Sequence, residues 1–259
     1  MSNRLVVSLI VVLVFFQQPI FLSFEAIGHV NWNNDELRIA LKEFAHLYST
    51  RPIKDNDGGM NSAHMFYVWF ITRKLNPKFI IESGVFKGQS SWLFEVAAPN
   101  AKIISIDPNL QQRVYISKKI RYETTDFSNI NWDFIDKEHA LCFFDDHQGI
   151  HRIKQCYKLG FKHILYEDNY PGPGGNLTHD LAVKATFSAN TDDARFLRSV
   201  LKIYYECPPI YPNFTGKRFS WEKIRNITPE PLLVNIKDPL FEVYQHEAFG
   251  YTWLAYISL

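Results

Sequence analysis

The sequence predicts an α/β fold with a doubly wound, mostly parallel sheet of seven strands that ends in a C-terminal antiparallel hairpin. Two observations lead to this class. Short, continuous apolar runs alternate with segments of helical periodicity from Phe79 to Tyr166, as expected for buried parallel strands joined by crossover helices. A glycine turn at Gly84 and Gly88 follows the first of these runs. Such a turn lets the backbone approach a ligand without an intervening Cβ.

Residues 1–24 are predicted to be a signal anchor or a signal peptide. Leu5 to Phe16 is a run of twelve residues, all apolar except Ser8. This length is typical of a signal-peptide core, whereas Leu5 to Phe24 is long enough to span a bilayer. No good cleavage site follows, which slightly favours an uncleaved anchor. Arg4 predicts that the rest of the chain lies on the luminal side of the secretory pathway (Golgi or ER), or is secreted if the segment is cleaved.

Three Asn-x-Thr sequons, at Asn176, Asn213 and Asn226, mildly support this luminal address and predict a glycoprotein. The net charge of +1 gives no indication of a nucleic-acid partner. The three cysteines are too few for a disulfide scaffold. Cys156 and Cys207 can pair only if the fold brings them together.

The elements divide the chain into an N-terminal helical segment, residues 25–57, and a main domain, residues 58–259. Residues 208–231 are an irregular insertion in that domain, rich in aromatic residues and proline. Helices are predicted at Asp35–Tyr48, Ser62–Leu75, Asn109–Lys119, Ile150–Leu159 and Ala194–Glu206. Strands are predicted at Phe79–Ser83, Lys102–Ile106, Ile120–Tyr122, Ala140–Phe144 and Lys162–Tyr166, with the final hairpin at Leu240–His246 and Tyr251–Leu259.

Acidic residues follow several of the predicted strands, and the carboxyl ends of parallel strands meet at one edge of the sheet. The acidic residues at this edge are Glu82, Asp107, Asp145, Asp146, Glu167 and Asp168. Like charges this close repel, and burial raises the cost. A divalent cation with oxygen ligands, magnesium above all, would resolve the conflict.

The glycine turn also restricts the ligand. A dinucleotide requires G-x-G-x-x-G, whereas this turn is Glu82-x-Gly84-x-x-x-Gly88. The pattern argues against a pyrophosphate, and Glu82 suits an ammonium or sulfonium group. Asp107 follows Gly88 at close to the ~20-residue spacing at which an acidic side chain meets a ribose. With these residues the chain resembles the class I S-adenosylmethionine-dependent methyltransferases, although an ordinary turn without a ligand remains the alternative.

The resemblance covers residues 58–259 and implies a Rossmann-like methyltransferase fold. It also implies that S-adenosylmethionine is held by the glycine turn, by the segment before the preceding helix and by acidic residues after the next strands. The cofactor-binding residues implied in this way are Met60, Asn61, Ser62, Glu82, Gly84, Phe86, Gly88, Ser90, Asp107 and Asp126. A simple helix cap at Asn61 or Ser62, and an ordinary turn aspartate at Asp126, are the alternatives.

The chain is more particularly similar to metal-dependent O-methyltransferases of the catechol type and the macrocin, sugar-modifying type. The resemblance implies metal ligands at Asp168 and Asn169, and at Asp146 after the preceding strand, with Asp145 as the other choice. Caps and turn residues that bind no metal are the alternative reading.

The predicted general base is His147, with His151 and Asp145 as the alternatives. The catechol type carries a lysine two positions after its Asp-His pair, and Gln148 stands there in this chain. The missing lysine argues against a catechol substrate. The sequence therefore predicts a metal-assisted O-methyltransferase acting on a glycan or another polyhydroxylated acceptor. A phenolic methyltransferase, a relative of the cephalosporin-hydroxylase group and a catalytically silent binding domain are the alternatives.

Overall fold

A computed structural model describes residues 27–167, 169, 183, 186, 191–212, 225, 228–235, 237–244 and 252–259. The predicted signal segment, the Asn residues of the three sequons and Asp168 lie outside the described residues. No helix in the described ranges has both the length and the apolar character needed to cross a membrane.

The helices are α1 (Asn34–Ser49), α2 (Ser62–Leu75), α3 (Gln89–Ala97), α4 (Ile150–Leu159), α5 (Asp192–Val200) and α6 (Pro239–Tyr244). The strands are β1 (Phe79–Ser83), β2 (Lys102–Ile106), β3 (Ile120–Glu123), β4 (Ala140–Phe144), β5 (His163–Tyr166), β6 (Ile203–Glu206) and β7 (Ala255–Ser258).

The described strands form one seven-stranded sheet in the order β3-β2-β1-β4-β5-β7-β6. Strands β1 to β5 run parallel, and β7 lies antiparallel between β5 and β6. The predicted fold class is confirmed. The strand order reverses direction between β1 and β4, and open α/β sheets bind their ligands at such a switch point.

The register of the central strands brings the polar residues that follow them together. Ser83 at the end of β1 is opposite both Ile106 of β2 and Phe144 of β4. The next residue of each strand, Gly84, Asp107 or Asp145, therefore emerges at the same edge.

The two faces of the sheet carry separate cores, because successive strand residues point to opposite sides. Ile80 packs with the cluster under α1, α2 and α3, whereas Ile81 packs with the cluster that includes residues of α4 and α5. Cys207 belongs to the first cluster and Cys156 to the second. Both are buried free thiols, so the suggested pairing of Cys156 with Cys207 does not occur.

The helix predicted at Asn109–Lys119 is wrong. Only a single 3-10 turn forms, at Leu110–Gln112. The backbone amides of Val114 and Tyr115 donate instead to the Lys87 carbonyl, at 2.9 and 3.0 Å. Hydrogen bonds to the glycine loop therefore replace the hydrogen bonds of a helix.

The C-terminal elements also differ from the prediction. The helix predicted at Ala194–Glu206 ends at Val200, and Ile203–Glu206 forms β6, whose β-branched and aromatic residues suit a strand. The strand predicted at Leu240–His246 is wrong, since Pro239–Tyr244 is helical. The antiparallel hairpin is formed by β6 and β7, so the irregular insertion lies between its two strands.

Candidate active site

Three adjoining cavities lie along the carboxyl edge of the sheet. The large cavity has a volume of about 580 Å³ and lies between the 54–61 segment and the ends of β4 and β5. The glycine-loop cavity, of about 200 Å³, lies against residues 84–90. The Arg152 cavity, of about 290 Å³, lies on the far side of Gly84. Asp145 lines all three cavities, which makes it the central residue of the cleft.

The glycine loop is packed too closely for side chains at its two glycines. Gly84 has φ +100°, and a Cβ there would lie 2.1 Å from the Asp145 carbonyl oxygen. Gly88 has φ +89°, and a Cβ there would lie 2.7 Å from the Tyr115 carbonyl oxygen. Phe86 also adopts a left-handed conformation, with φ +48°. Gly84, Phe86 and Ser90 line the glycine-loop cavity, as a cofactor-binding role requires, whereas Gly88 shapes the loop from outside the lining.

Asp107 holds the conformation of this loop. Its Oδ2 accepts hydrogen bonds from the backbone amides of Val85 and Phe86, at 2.9 and 3.1 Å. Its Oδ1 accepts from the Asn109 amide at 2.7 Å. Asp107 also lines the glycine-loop and Arg152 cavities. The predicted ribose partner thus lies in the cleft and already stabilises the turn beside it.

Glu82 lies beneath the loop and lines none of the three cavities. It is fully buried, and its Oε2 accepts hydrogen bonds from Ser91 and Ser105 at 2.6 and 2.5 Å. Burial raises the pKa of Glu82, while the hydrogen bonds from the neighbouring serines lower it. The structure therefore places Glu82 as an internal support of the loop, away from any ligand in the cleft.

The buried Arg152 side chain ties together two predicted site residues. It binds Asp126 through Nη2 at 2.6 Å and Asp146 through Nε at 2.8 Å, and the same Asp146 oxygen accepts from Ser83 Oγ at 2.5 Å. The hydrogen bonds from Arg152 hold the pKa of Asp126 well below its usual range. Burial raises the pKa of Asp146, although Arg152 opposes that rise.

This ion-pair arrangement bears on two predictions. Asp126 lines the Arg152 cavity, but its carboxylate is bound to the guanidinium, so its predicted role in cofactor binding stays a prediction. Asp146 has its Oδ2 bound twice within the protein, and this arrangement does not support its predicted role as a metal ligand. Asp145, the other choice for that ligand, is the one that faces all three cavities.

The segment before α2 forms the opposite wall. Met60 and Asn61 line the large cavity, and Met60 reaches the glycine-loop cavity as well. The Asn61 side chain also caps α2, because its Oδ1 accepts from the amides of Ala63 and His64 at 3.1 and 3.3 Å. The helix cap at Asn61 is therefore confirmed, and its predicted role in cofactor binding stays a prediction. Ser62 is fully buried and lies outside the lining of the three cavities.

His147, the predicted base, lies where the large and glycine-loop cavities meet and lines both. Its backbone φ of +57° is unusual for a residue with a side chain. Gln148, which occupies the position of the missing lysine, lines the Arg152 cavity instead.

Asn169 is placed differently from its prediction. It is fully buried, its Nδ2 donates to the Tyr204 hydroxyl at 2.9 Å, and its Oδ1 accepts from the Val183 amide at 2.9 Å. This placement gives no support to a role as a metal ligand. No three His, Cys, Asp or Glu side chains within the described ranges cluster closely enough to hold a metal ion. Asp168 lies outside those ranges, so metal binding stays a prediction.

Three further residues line the inner end of the large cavity: His64 and Trp253, which the sequence did not single out, and Glu167, which it placed only among the acidic residues at the strand ends. His64 Nδ1 lies 3.5 Å from Glu167 Oε1, and the Trp253 indole donates to the same oxygen at 3.0 Å. Burial lowers the pKa of His64 to about 3. A histidine within the apolar run of α2 was the signal available for His64, whereas nothing in the sequence placed Trp253 beside it.

No family model matches the sequence, and no curated protein matches it. Solved structures of methyltransferases are similar to the chain at low identity. SAH-bound PaMTH1 of Podospora anserina is 18% identical, with a TM-score of 0.37, over 54% of this chain and 73% of that protein. An O-methyltransferase from Bacillus cereus in complex with SAH is 8% identical, with a TM-score of 0.41, over 89% and 93%. A form of CmcI with Mg and SAM is 17% identical, with a TM-score of 0.37, over 57% of this chain and 64% of CmcI. The chain thus spans less than two thirds of CmcI.

The order and directions of the seven strands are those of the Rossmann-like methyltransferase fold that the resemblance implied.

Proposed function

We propose that this chain is an S-adenosylmethionine-dependent O-methyltransferase. The observation that carries the proposal is the cleft at the strand-order switch point, where the glycine loop, Asp107 and Asp145 border adjoining cavities. A ligand-binding α/β sheet uses this position. The loop lacks the glycine spacing that a pyrophosphate requires, which favours a nucleoside without phosphates.

The residues present fit this cofactor. Asp107 already accepts three backbone hydrogen bonds, but a carboxylate has about four acceptor positions, so one ribose hydroxyl can still donate to it. Asp107 and Asp145 give the glycine-loop cavity an acidic wall that suits a sulfonium and an ammonium group. S-adenosylmethionine would supply the methyl group as an electrophile bound to sulfur.

The large cavity is the proposed site of the methyl acceptor, because it adjoins the glycine-loop cavity at Asp145 and His147. His147 is positioned at this junction to take the proton of an attacking hydroxyl. The polar lining of the large cavity favours a glycan or another polyhydroxylated acceptor over a phenolic ring. The same proposal includes a membrane anchor at residues 1–24 and a location on the luminal side of the secretory pathway.

We further propose that the enzyme binds a divalent cation, with magnesium favoured. Asp145 and Asp168 would hold it, since both follow strands that end at this cleft. When bound, such an ion lowers the pKa of an acceptor hydroxyl. Asp146 and Asn169 are left out of this set, because their side chains are bound within the protein.

The test combines calorimetry with S-adenosylmethionine, with and without magnesium, and a screen of methyl acceptors using labelled cofactor. We expect cofactor binding and methyl transfer that falls at least tenfold in Asp145→Asn. We also expect His147→Ala to lose transfer and keep cofactor binding. Absence of cofactor binding would show a silent domain, and full transfer without a divalent ion would remove the metal.

A further inference from the structure

The inner end of the large cavity contains a buried imidazole with unused hydrogen-bonding capacity. His64 lies in the first turn of α2, and its side chain is 3% exposed. Within the described residues, neither of its ring nitrogens makes a hydrogen bond of normal geometry, although the Thr252 backbone lies close enough to raise the pKa of His64 against the larger effect of burial. A buried polar group without hydrogen-bond partners is energetically unfavourable. Because His64 lines a cavity, a bound molecule can supply the missing hydrogen bonds.

Glu167 and Trp253 fix the surroundings of this imidazole. Glu167 Oε1 lies 3.5 Å from His64 Nδ1 and accepts a hydrogen bond from Trp253 Nε1 at 3.0 Å. The Trp253 ring contacts the imidazole edge to face, with centroids 4.8 Å apart. Trp253 has φ +35°, a strained conformation for a residue with a side chain. The three side chains are therefore held together at one wall of the cavity.

The charge of the cavity restricts the ligand. Four of the lining side chains are carboxylates: Asp55, Asp57, Asp145 and Glu167. Lys54 is the one lysine or arginine among the described residues that line the cavity. An anionic group would be repelled at the inner wall. A neutral hydroxyl suits this wall, because a carboxylate accepts its proton in a hydrogen bond and a neutral imidazole offers one donor and one acceptor. The indole adds an apolar face for the C–H groups of a sugar ring.

We infer that His64, Glu167 and Trp253 form a binding subsite for a neutral vicinal diol of the acceptor. This inference rests on the proposed function, since it names the part of the acceptor that enters the large cavity. His64 is a binding residue in this subsite and takes no proton from the acceptor. Its burial, which keeps the imidazole neutral at physiological pH, agrees with that role.

The test is saturation-transfer NMR on the full chain with methyl β-D-glucopyranoside, in the presence of S-adenosylhomocysteine. We expect transfer to the sugar in the wild type and at least tenfold weaker binding in His64→Leu and Glu167→Gln. His64→Gln, which restores a donor and an acceptor, should retain part of the binding. His29→Leu, at an exposed histidine, is the matched control and should bind as the wild type does.

Calorimetry with S-adenosylhomocysteine on the same samples separates the two proposals. Sugar binding without S-adenosylhomocysteine binding would support the subsite and contradict the proposed function. No sugar binding by the wild type, or equal binding by all variants, would overturn the subsite. Preference for the matching methyl glucuronide, an anion, would overturn it too. If His64→Leu does not fold, His64→Gln and Glu167→Gln decide the question.

Discussion

The two halves of the cleft satisfy their polar groups in different ways. In the half that contains the glycine-loop and Arg152 cavities, Asp107 binds loop amides, and Arg152 binds two carboxylates. In the half that contains the inner end of the large cavity, neither ring nitrogen of His64 makes a hydrogen bond of normal geometry within the described residues. The first half is preorganised by its own hydrogen bonds, whereas the second half leaves hydrogen bonds for a ligand to complete.

This difference predicts how each half responds to substitution. In the preorganised half, a change of side chain disturbs contacts within the protein, so stability and cofactor binding should fall together. At the unsatisfied end of the large cavity, a change such as His64→Gln should alter ligand binding with little effect on stability. Four substitutions in the preorganised half test its side of this comparison.

Gly84→Ala should have the largest effect. The new Cβ would lie 2.1 Å from a backbone oxygen at a residue with φ +100°, so the loop and the end of β4 must move apart. We expect a loss of about 4 kcal/mol or more in unfolding free energy, measured by denaturant titration. Gly58→Ala is the control, because φ there is +82° but the nearest atom would lie 3.8 Å away. It should cost only about 1 kcal/mol, and equal losses would contradict the role of close packing.

Arg152→Met should come next. The substitution leaves the largely buried Asp146 carboxylate without its counter-charge. Removing one partner of a buried pair costs about 3 kcal/mol or more, again measured by denaturant titration. Arg121→Met removes an exposed pair with Glu123 and should cost less than about 1 kcal/mol. A small loss in Arg152→Met would show that Arg152 does not organise this half.

The sequence predicted the elements that depend on local signals and missed those that depend on contacts distant in the chain. Strands β2 and β4 were predicted with the observed bounds, and β1 was predicted in its place before the glycine turn, because continuous apolar runs and a glycine turn are local signals. The error at 109–119 arose because hydrogen bonds from Val114 and Tyr115 to Lys87, distant in sequence, decide that segment. The segment at 203–206 becomes a strand because β7, about 50 residues later, pairs with it.

The sequence predicted where several site residues lie along the sheet edge, but it did not predict the direction in which their side chains point. The strand ends correctly placed Asp107 and Asp145 at the cleft. Spacing along the chain does not reveal that Asn169 binds Tyr204 and Val183, or that Glu82 points beneath the loop. Those orientations depend on partners brought close by the fold.

Asp107→Asn should have an intermediate effect. In the wild type, one carboxylate oxygen accepts from the Val85 and Phe86 amides and the other accepts from the Asn109 amide. The asparagine side chain has a single oxygen, so one of these two sets of hydrogen bonds loses its acceptor. We expect a loss of about 1–2 kcal/mol in unfolding free energy and at least tenfold weaker S-adenosylhomocysteine binding by calorimetry. Asp133→Asn, an exposed aspartate outside the cleft, should change neither quantity. Unchanged cofactor affinity in Asp107→Asn would show that Asp107 and the loop that it stabilises do not contribute to cofactor binding.

Asp126→Asn should have the smallest effect, visible mainly in its pH dependence. Hydrogen bonds from Arg152 lower the pKa of Asp126 below the ordinary 3.8, so its charged form is favoured in the folded state. Its contribution is therefore present above about pH 4 and is lost as the pH falls through the lower, folded-state pKa. Because Asp126 is partly exposed, we expect a difference of about 1 kcal/mol or less between wild type and variant near neutral pH.

That difference should shrink progressively when denaturant titrations are repeated from about pH 7 to about pH 2. Burial raises the pKa of Asp146, so its effect on the pH dependence of stability has the opposite sign, and this residue is present in both proteins. A difference that stays constant over this range would mean that the bond between Arg152 and Asp126 depends on shape and hydrogen bonding alone. The preorganisation of this half of the cleft would then not require the charge of Asp126.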